Sequence, residues 1–198
     1  MNEHERKVKV STYQKPKNNH VHCGDSFFYT ETEDTFICVL VDGLGSGKGA
    51  QESADIVINI IKYNIHVSVE KLVNKCNEQL LGKRGVVLGI LKLDFLEKTY
   101  TFSSIGNVGI MSVKECKKKR SIPSFGYLGG QKRSFKIEKE KLQPEMKFFM
   151  FSDGVLDKEL SAKYFFHSEV HEIIETYATL SKQEREDDTT LIAISYHG

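Results

Sequence analysis

The sequence predicts an α+β fold in which antiparallel strands form layers against a few helices. Strand patterns outnumber helical patterns, and several strands follow one another directly along the chain. The helical patterns are grouped in the middle of the chain and near its end. A parallel sheet would need a helix between successive strands, so this order favours an antiparallel layered fold over repeated βαβ units.

Eight strands are predicted from alternating or continuous apolar runs. The most apolar runs cover residues 35–41 and 85–93, the second being rich in Val, Ile and Leu. The other six candidates are 7–13, 98–104, 109–113, 133–137, 147–151 and 189–196.

Three helices are predicted from apolar residues at helical spacing. Helix 49–63 has Ala50, Ala54, Val57, Ile58 and Ile61 on one side, and a second helix covers 69–81. The third, 169–180, carries a comparable apolar stripe.

Length and composition predict one globular domain covering residues 1–198. The chain has no internal repeat and no linker-like segment, and domains commonly contain about 100 to 200 residues. Its 28 Lys and Arg residues nearly cancel its 27 Asp and Glu residues, which argues against nucleic acid or a membrane surface as the partner. No apolar run approaches the roughly 20 residues of a membrane span and the start lacks a signal peptide, so a cytoplasmic protein is expected. A monomer is also expected.

The four cysteines do not predict a disulfide framework or a zinc site. They are widely spaced, and no Cys-x-x-Cys pair occurs. One concentrated basic run, 117–120, precedes a segment with Pro123 and several glycines that is predicted to be an irregular loop. Two interpretations of the basic run remain open, a solvated turn and a docking patch for an acidic partner.

Acidic residues at the ends of buried strands are the main indication of chemistry. Asp42 ends the run FICVLV, Asp153 ends KFFMFS, and Asp187 with Asp188 precedes TTLIAI. Rigid strand ends can hold such carboxylates together at the rim of a sheet. Because oxygen ligands suit magnesium and manganese better than zinc or copper, the pattern predicts a site for a hard divalent cation.

Both Asp42 and Asp153 are followed by glycine. A missing side chain lets the backbone approach an ion or form a tight turn, although Asp-Gly is also an ordinary turn dipeptide. The segment GLGSGKG resembles a phosphate-binding loop only superficially. Asp42 stands where a Walker loop has its first glycine, and Gly49 stands where it has Ser or Thr, so nucleotide binding is not predicted.

The ordered motifs resemble the PPM family of metal-dependent serine/threonine phosphatases, in its SpoIIE-like bacterial branch. They are GDSFF, VDGLGSGKGA, SIGNVG, SDGV and DDTT, and the match as a whole runs from about residue 20 to residue 194. The resemblance implies a layered α-β-β-α sandwich of two mainly antiparallel sheets flanked by helices. It also implies two divalent cations, Mn²⁺ or Mg²⁺, at one edge of the sandwich.

The resemblance assigns roles to particular residues. Asp42 matches the carboxylate that bridges both ions, and Gly43 matches a glycine whose carbonyl oxygen binds one of them. Asp153 and Asp187 match the remaining ligands, and Asp25 matches an acidic residue that reaches the metals directly or through water. Catalysis would then depend on Asp42, Asp153 and Asp187 through metal-bound water that attacks phosphorus in line.

The chain departs from the family at three positions. His20 stands where many members have an arginine that holds the substrate phosphate, so His20 is a candidate for that contact. Asn107 stands where an aspartate is frequent, and Asp188 where many members have asparagine. These departures give no ground for predicting a third ion.

The short chain is similar to the stressosome members of this branch, which implies phosphorylated STAS-domain proteins as substrates. Their dephosphorylation would act as negative feedback on the sigma-B general stress response. Two alternatives remain open: a catalytically weak regulator that binds phosphoproteins, and a phosphatase of small metabolites. Cysteine catalysis at Cys23 is not favoured, because the arginine-rich phosphate loop of thiol phosphatases does not accompany it.

Overall fold

The fold is a four-layered α-β-β-α sandwich. The computed structural model describes residues 6–17, 23–161, 163–167, 169–181 and 187–198. Within these residues the strands are β1 (Val8–Lys15), β2 (Asp25–Glu31), β3 (Thr35–Gly43), β4 (Val86–Asp94), β5 (Thr99–Ile105), β6 (Gly109–Lys114), β7 (Lys117–Arg120), β8 (Glu138–Lys141), β9 (Lys147–Phe151) and β10 (Thr189–Tyr196). The helices are α1 (Lys48–Lys62), α2 (Val69–Gln79), α3 (Asp157–Leu160), α4 (Tyr164–His167) and α5 (Val170–Leu180).

Two five-stranded sheets form the inner layers. Sheet A has the order β1-β10-β9-β6-β7, and sheet B has the order β2-β3-β4-β5-β8. Every pair of neighbouring strands is antiparallel. The predicted α+β class and the two-sheet sandwich are therefore confirmed.

Strand periodicity explains how one apolar run serves two layers. In β3, Phe36, Cys38 and Leu40 pack between the sheets, whereas Ile37 and Val39 face the helices. Helices α1 and α2 cover sheet B on that second face. Helix α5 covers the outer face of sheet A. Both sheets are thus buried on two faces, which is why 35–41 is continuously apolar.

Two predictions of local structure are wrong. Residues 133–137 do not form a strand, and the neighbouring residues Glu138–Lys141 pair with β5 instead. Residues 117–120 form the edge strand β7 and not a turn. Among the described residues, none of the helices has the length and apolar character that crossing a bilayer requires.

Candidate metal centre

Strand register brings Asp42 and Asp25 together at one end of sheet B. Asp42 continues the face of β3 that carries Cys38 and Leu40, so its position faces sheet A. Asp25 lies directly opposite Asp42 on the neighbouring strand β2. Residues opposite each other in an antiparallel pair have Cβ atoms about 5 Å apart. Two residues that are 17 positions apart in sequence therefore become neighbours.

A hydrogen bond from the opposite sheet holds Asp25 in place. The hydroxyl of Thr190, in β10, donates to Oδ2 of Asp25 over 2.7 Å. Thr190 precedes Ile192 on the inner face of sheet A, and Asp25 is only 5% exposed. This bond connects the two sheets at the edge of the sandwich where the site lies.

Asp153 enters the site from the end of β9 in sheet A. Its Oδ2 accepts a hydrogen bond from the side-chain amide of Asn107, in the turn between β5 and β6. The side chain of Asp153 is exposed, so part of the carboxylate faces solvent. Asn107, which departs from the family pattern, thus orients one of the predicted ligands.

The two neighbouring aspartates Asp187 and Asp188 have different environments. Asp188 is buried, and its carboxylate accepts backbone N–H bonds from Lys17 and Gly24, each 2.9 Å long. Asp187 is exposed, and its Oδ1 lies 3.5 Å from Nζ of Lys17. Asp188 therefore fixes the chain around the site, whereas the charge of Asp187 acts on the neighbouring carboxylates of Asp42 and Asp153.

Crowding of negative charge changes the acidity of these groups. Burial, followed by the charges of Asp25, Asp153, Asp187 and Asp188, raises the pKa of Asp42 to about 7. Burial raises the pKa of Asp25 to about 6, although the bond from Thr190 acts in the opposite direction. The pKa of Asp153 is raised by burial and by Asp187. The carboxylates from both sheets thus interact as one cluster.

The donor set fits hard divalent cations. The cluster offers only oxygen atoms, and a cation of charge +2 would relieve the mutual repulsion that raises these pKa values. In the part of the chain that the structure describes, no three His, Cys, Asp or Glu side chains converge into a finished ligand cage. Among the described residues, the carboxylates therefore influence one another's pKa values without forming a complete ligand set.

The glycines after Asp42 and Asp153 are required by close backbone contacts. A Cβ atom on Gly43 would lie 2.3 Å from the carbonyl oxygen of Ala50 in α1. A Cβ atom on Gly154 would lie 2.2 Å from the carbonyl oxygen of Asp188. Each Asp-Gly pair is thereby held against a neighbouring segment, which fixes the direction in which the aspartate leaves its strand.

Two further predictions concern His20 and Cys23. His20, predicted to contact substrate phosphate, lies outside the described residues. Cys23 lies two residues before Asp25, and burial together with the charge of Asp25 raises the pKa of its thiol to about 12. A thiol of that pKa is protonated at neutral pH and does not act as a nucleophile.

Sequence reasoning missed the supporting residues Thr190, Lys17 and Ser152. Ser152 is buried, and its hydroxyl accepts the backbone N–H of Thr190 over 2.9 Å, which ties β9 to β10 beside the site. The alternation of β10 could have placed Thr190 on the inner face, opposite the outward-facing Leu191. The contact of Lys17 with Asp187 joins two segments that are 170 positions apart, and no pattern in the sequence indicates that they meet.

Comparison with known proteins decides the family. No family model matches the chain. The phosphoserine phosphatase RsbX of Bacillus subtilis is 31% identical over 195 residues, which cover 96% of this chain and 94% of RsbX. The chain belongs to the RsbX family of phosphoserine phosphatases.

Solved structures agree with this assignment. An RsbX structure in complex with magnesium has a TM-score of 0.87 and 28% identity, with 96% of this chain and 95% of that chain covered. The catalytic domain of the phosphatase PstP, solved with two manganese ions, has a TM-score of 0.78 at 11% identity, covering 96% of this chain and 99% of that chain. The latter likeness shows the PPM fold alone. The family assignment and the predicted PPM sandwich are confirmed.

Proposed function

We propose that this protein is a divalent-metal-dependent phosphoserine/phosphothreonine protein phosphatase. The observation that carries the proposal is the cluster of Asp25, Asp42, Asp153 and Asp187 at the edge shared by the two sheets. Membership of the RsbX family supports the same chemistry. In this proposal residues 1–198 act as one catalytic domain, monomeric and cytoplasmic.

Asp42, Asp153, Asp187 and the carbonyl oxygen of Gly43 would hold two Mn²⁺ or Mg²⁺ ions, with Asp25 binding directly or through water. When bound, the cations would lower the pKa of water and neutralise charge on the phosphoryl group. Thr190 and Asn107 would keep Asp25 and Asp153 oriented through the hydrogen bonds seen in the structure. The protein itself would need no covalent nucleophile.

We further propose phosphorylated STAS-domain proteins of a stressosome as the physiological substrates. A stressosome protein is among the structural neighbours, with a TM-score of 0.80, but at 20% identity it supports the fold alone. The RsbX relative is a phosphoserine phosphatase, which supports phosphoserine as the group that is hydrolysed. The choice of STAS-domain proteins rests on the family resemblance of the sequence. Dephosphorylation of such proteins would end a stress response by negative feedback on sigma-B.

Hydrolysis assays with and without metal test the catalytic proposal. We expect manganese- or magnesium-dependent turnover of p-nitrophenyl phosphate and of a phosphorylated STAS-domain protein, abolished by chelator. The Asp42→Asn and Asp153→Asn variants should each lose at least about a hundredfold in kcat while remaining folded, because charge stabilisation at the reacting phosphate is lost. Asp34→Asn, in the exposed turn between β2 and β3, is the matched control and should keep full activity.

The result distinguishes the alternatives. A metal-independent, fully active Asp42→Asn variant would overturn the metal mechanism. Binding of the phosphoprotein without turnover would favour the regulator, and turnover restricted to small phosphate esters would favour a metabolite phosphatase.

A further inference from the structure

A loop beside the metal centre displays large apolar side chains to solvent. In residues 121–130, Phe125 is 91% exposed, Ile122 is 78% exposed and Tyr127 is 44% exposed. Isolated exposed apolar residues are common, but these three lie within six residues of one loop. Exposed apolar surface can mark a site that contacts other molecules.

The backbone that carries these side chains is firmly held. Ser124 exchanges backbone hydrogen bonds with β5 and the following turn, to Ser104 over 2.7 Å and from Gly106 over 2.9 Å. Leu128 is fully buried and exchanges two 2.9 Å hydrogen bonds with Val86. The exposed side chains are therefore presented by an ordered frame, which lowers the entropy lost when a partner binds.

The patch adjoins the catalytic edge. Gly106, which bonds to the loop, precedes Asn107, whose side chain holds Asp153. A groove of about 430 Å³ runs from Asp153 to Pro123 in the same loop. A protein whose phosphoserine occupied the metal centre would therefore meet the loop with the residues that flank the phosphoserine.

The basic residues around this loop indicate which kind of partner would bind there. Residues 117–137 contain seven of the chain's 28 Lys and Arg residues and none of its 27 Asp and Glu residues, so the rest of the molecule is net acidic. Lys119, Arg120 and Lys136 are already paired with acidic residues of this chain. No ion pair between described residues involves Lys132 or Arg133, and both are exposed.

Arg133 joins this charge to the apolar patch. Its guanidinium donates a hydrogen bond to the carbonyl oxygen of Phe125 over 2.8 Å and lies over the ring of Phe135. Arg133 and Phe125 are therefore contiguous parts of one surface. A second copy of this chain would bring the same cations into contact with each other in a two-fold interface, which disfavours self-association.

We propose that Ile122, Phe125, Tyr127, Lys132 and Arg133 form a docking surface for the phosphoprotein substrate, which presents apolar and acidic side chains beside its phosphoserine. This inference rests on the proposed function and deepens it. Affinity for the protein would come largely from this surface, while the metal centre handles the phosphate.

Comparison of a protein substrate with a small one tests the docking surface. Phe125→Ala and Arg133→Ala should each raise the KM for a phosphorylated STAS-domain protein about tenfold, as expected for aromatic and arginine anchors of an interface. The kinetics with p-nitrophenyl phosphate should stay within about twofold of wild type, because that ester lacks the flanking residues with which a protein substrate would meet the loop. Lys132→Glu should also raise the KM for the phosphorylated protein. High salt should reduce the effect of Lys132→Glu and of Arg133→Ala on that KM, because salt screens exposed charges.

Matched controls lie away from this surface. Leu96→Ala removes a side chain that is 74% exposed in the turn between β4 and β5, and Lys62→Glu reverses an exposed charge in the last turn of α1. Neither should change the kinetics with either substrate. Equal losses with both substrates in Phe125→Ala, or no loss with either, would overturn the proposal, as would a dimer in solution that Phe125→Ala dissociates.

A wrong substrate assignment gives a result different from that of a wrong docking surface. If wild type hydrolyses p-nitrophenyl phosphate but not the STAS-domain protein, that substrate assignment is wrong. The docking surface is then judged on phosphorylated casein, an acidic phosphoprotein. A raised KM for casein in Phe125→Ala and Arg133→Ala would still support docking, and unchanged kinetics or an absence of casein hydrolysis would contradict it.

Discussion

At the scale of single residues, Asp25 shows how the fold places a carboxylate at the edge shared by the two sheets. Its carboxylate is nearly buried and receives a hydrogen bond from Thr190 of the opposite sheet. Burial raises the pKa of the Asp25 carboxyl, whereas the hydroxyl of Thr190 stabilises its charged form. Because these two effects oppose each other, Asp25 can remain ionised in a buried position where a carboxylic acid without a hydrogen-bond donor would be neutral.

Cys23 offers a residue-scale prediction about reactivity. With its pKa raised to about 12, roughly one Cys23 thiol in ten thousand is ionised at pH 8, and only the thiolate reacts with alkylating reagents. We expect iodoacetamide to modify the exposed Cys116 first and to leave Cys23 unmodified over the same time, with full phosphatase activity. Peptide mass mapping against time measures both sites.

A Cys116→Ser variant provides the control, because it removes the exposed thiol. Stoichiometric labelling of Cys23 accompanied by matching loss of activity would instead point to a reactive thiol in the site.

At the scale of elements, α2 holds residues 129–131, next to the loop with the exposed aromatic residues, through one side chain. Asn77 is 6% exposed, and its side-chain oxygen accepts the backbone N–H groups of Gly129 and Gly130 over 3.0 and 3.1 Å. Its amide donates to the carbonyl oxygen of Gln131 over 2.8 Å. One helical residue thus holds three consecutive backbone groups of a segment without regular secondary structure.

Replacing Asn77 by alanine should therefore destabilise the protein. The change leaves backbone donors and an acceptor without partners, so we expect the free energy of unfolding to fall by about 2 to 3 kcal/mol. Urea denaturation monitored by circular dichroism measures the loss. Asn74→Ala, one turn earlier on an exposed face of α2, should change stability by less than about 0.5 kcal/mol. Equal stability of the two variants would contradict the role of Asn77.

The elements also show what sequence patterns can predict. The central strands and the three long helices were predicted within a few residues, because each buries a periodic apolar face. Residues 133–137 imitate a strand because Phe135 and Ile137 alternate and pack against the helical layer. Their backbone, however, bonds to side chains: Lys136 donates its N–H to the hydroxyl of Ser124 and accepts a bond from the hydroxyl of Ser103.

Strand β7 was missed for the opposite reason. Its sequence is entirely basic, but Lys118 and Arg120 lie over aromatic rings at 4.6 to 5.1 Å, including those of Phe151 and Phe166. The aliphatic parts of these side chains cover the edge of sheet A. Asp42, Asp153 and Asp187 were found because they flank apolar strands, and Asp25 was assigned by the family resemblance. Thr190, Lys17 and Asn77 act through contacts between segments far apart in the sequence.

At the scale of the whole molecule, the aspartate cluster is the place where negative charges of the two sheets repel each other. Asp25 and Asp42 belong to sheet B, whereas Asp153 and Asp187 lie at the ends of strands in sheet A. Their mutual repulsion opposes the sandwich whenever the carboxylates are ionised. Divalent cations bound between them would convert this repulsion into a link between the sheets, so stability should depend jointly on pH and metal.

The sign of the pH effect follows from the raised pKa values. Asp25 and Asp42 hold protons more tightly in the folded protein, with pKa values of about 6 and 7, than in the unfolded chain at 3.8. The stability that this proton binding contributes is complete below about pH 4 and is lost as pH rises through 6 and 7. Glu140, whose pKa is lowered, titrates below this range and does not mask the effect.

In the presence of chelator, we therefore expect the free energy of unfolding to fall by about 2 to 4 kcal/mol between pH 5 and pH 8, allowing for solvent screening of the partly exposed Asp42. Urea denaturation at several pH values measures the slope. Saturating magnesium or manganese should restore stability at pH 8, by about 2.7 kcal/mol at a hundred times the dissociation constant. Asp42→Asn should flatten both the pH slope and the response to metal, since it removes a charge from the centre of the cluster. A chelated protein that is more stable at pH 8 than at pH 5 would show that the carboxylates of the two sheets do not repel each other at this edge.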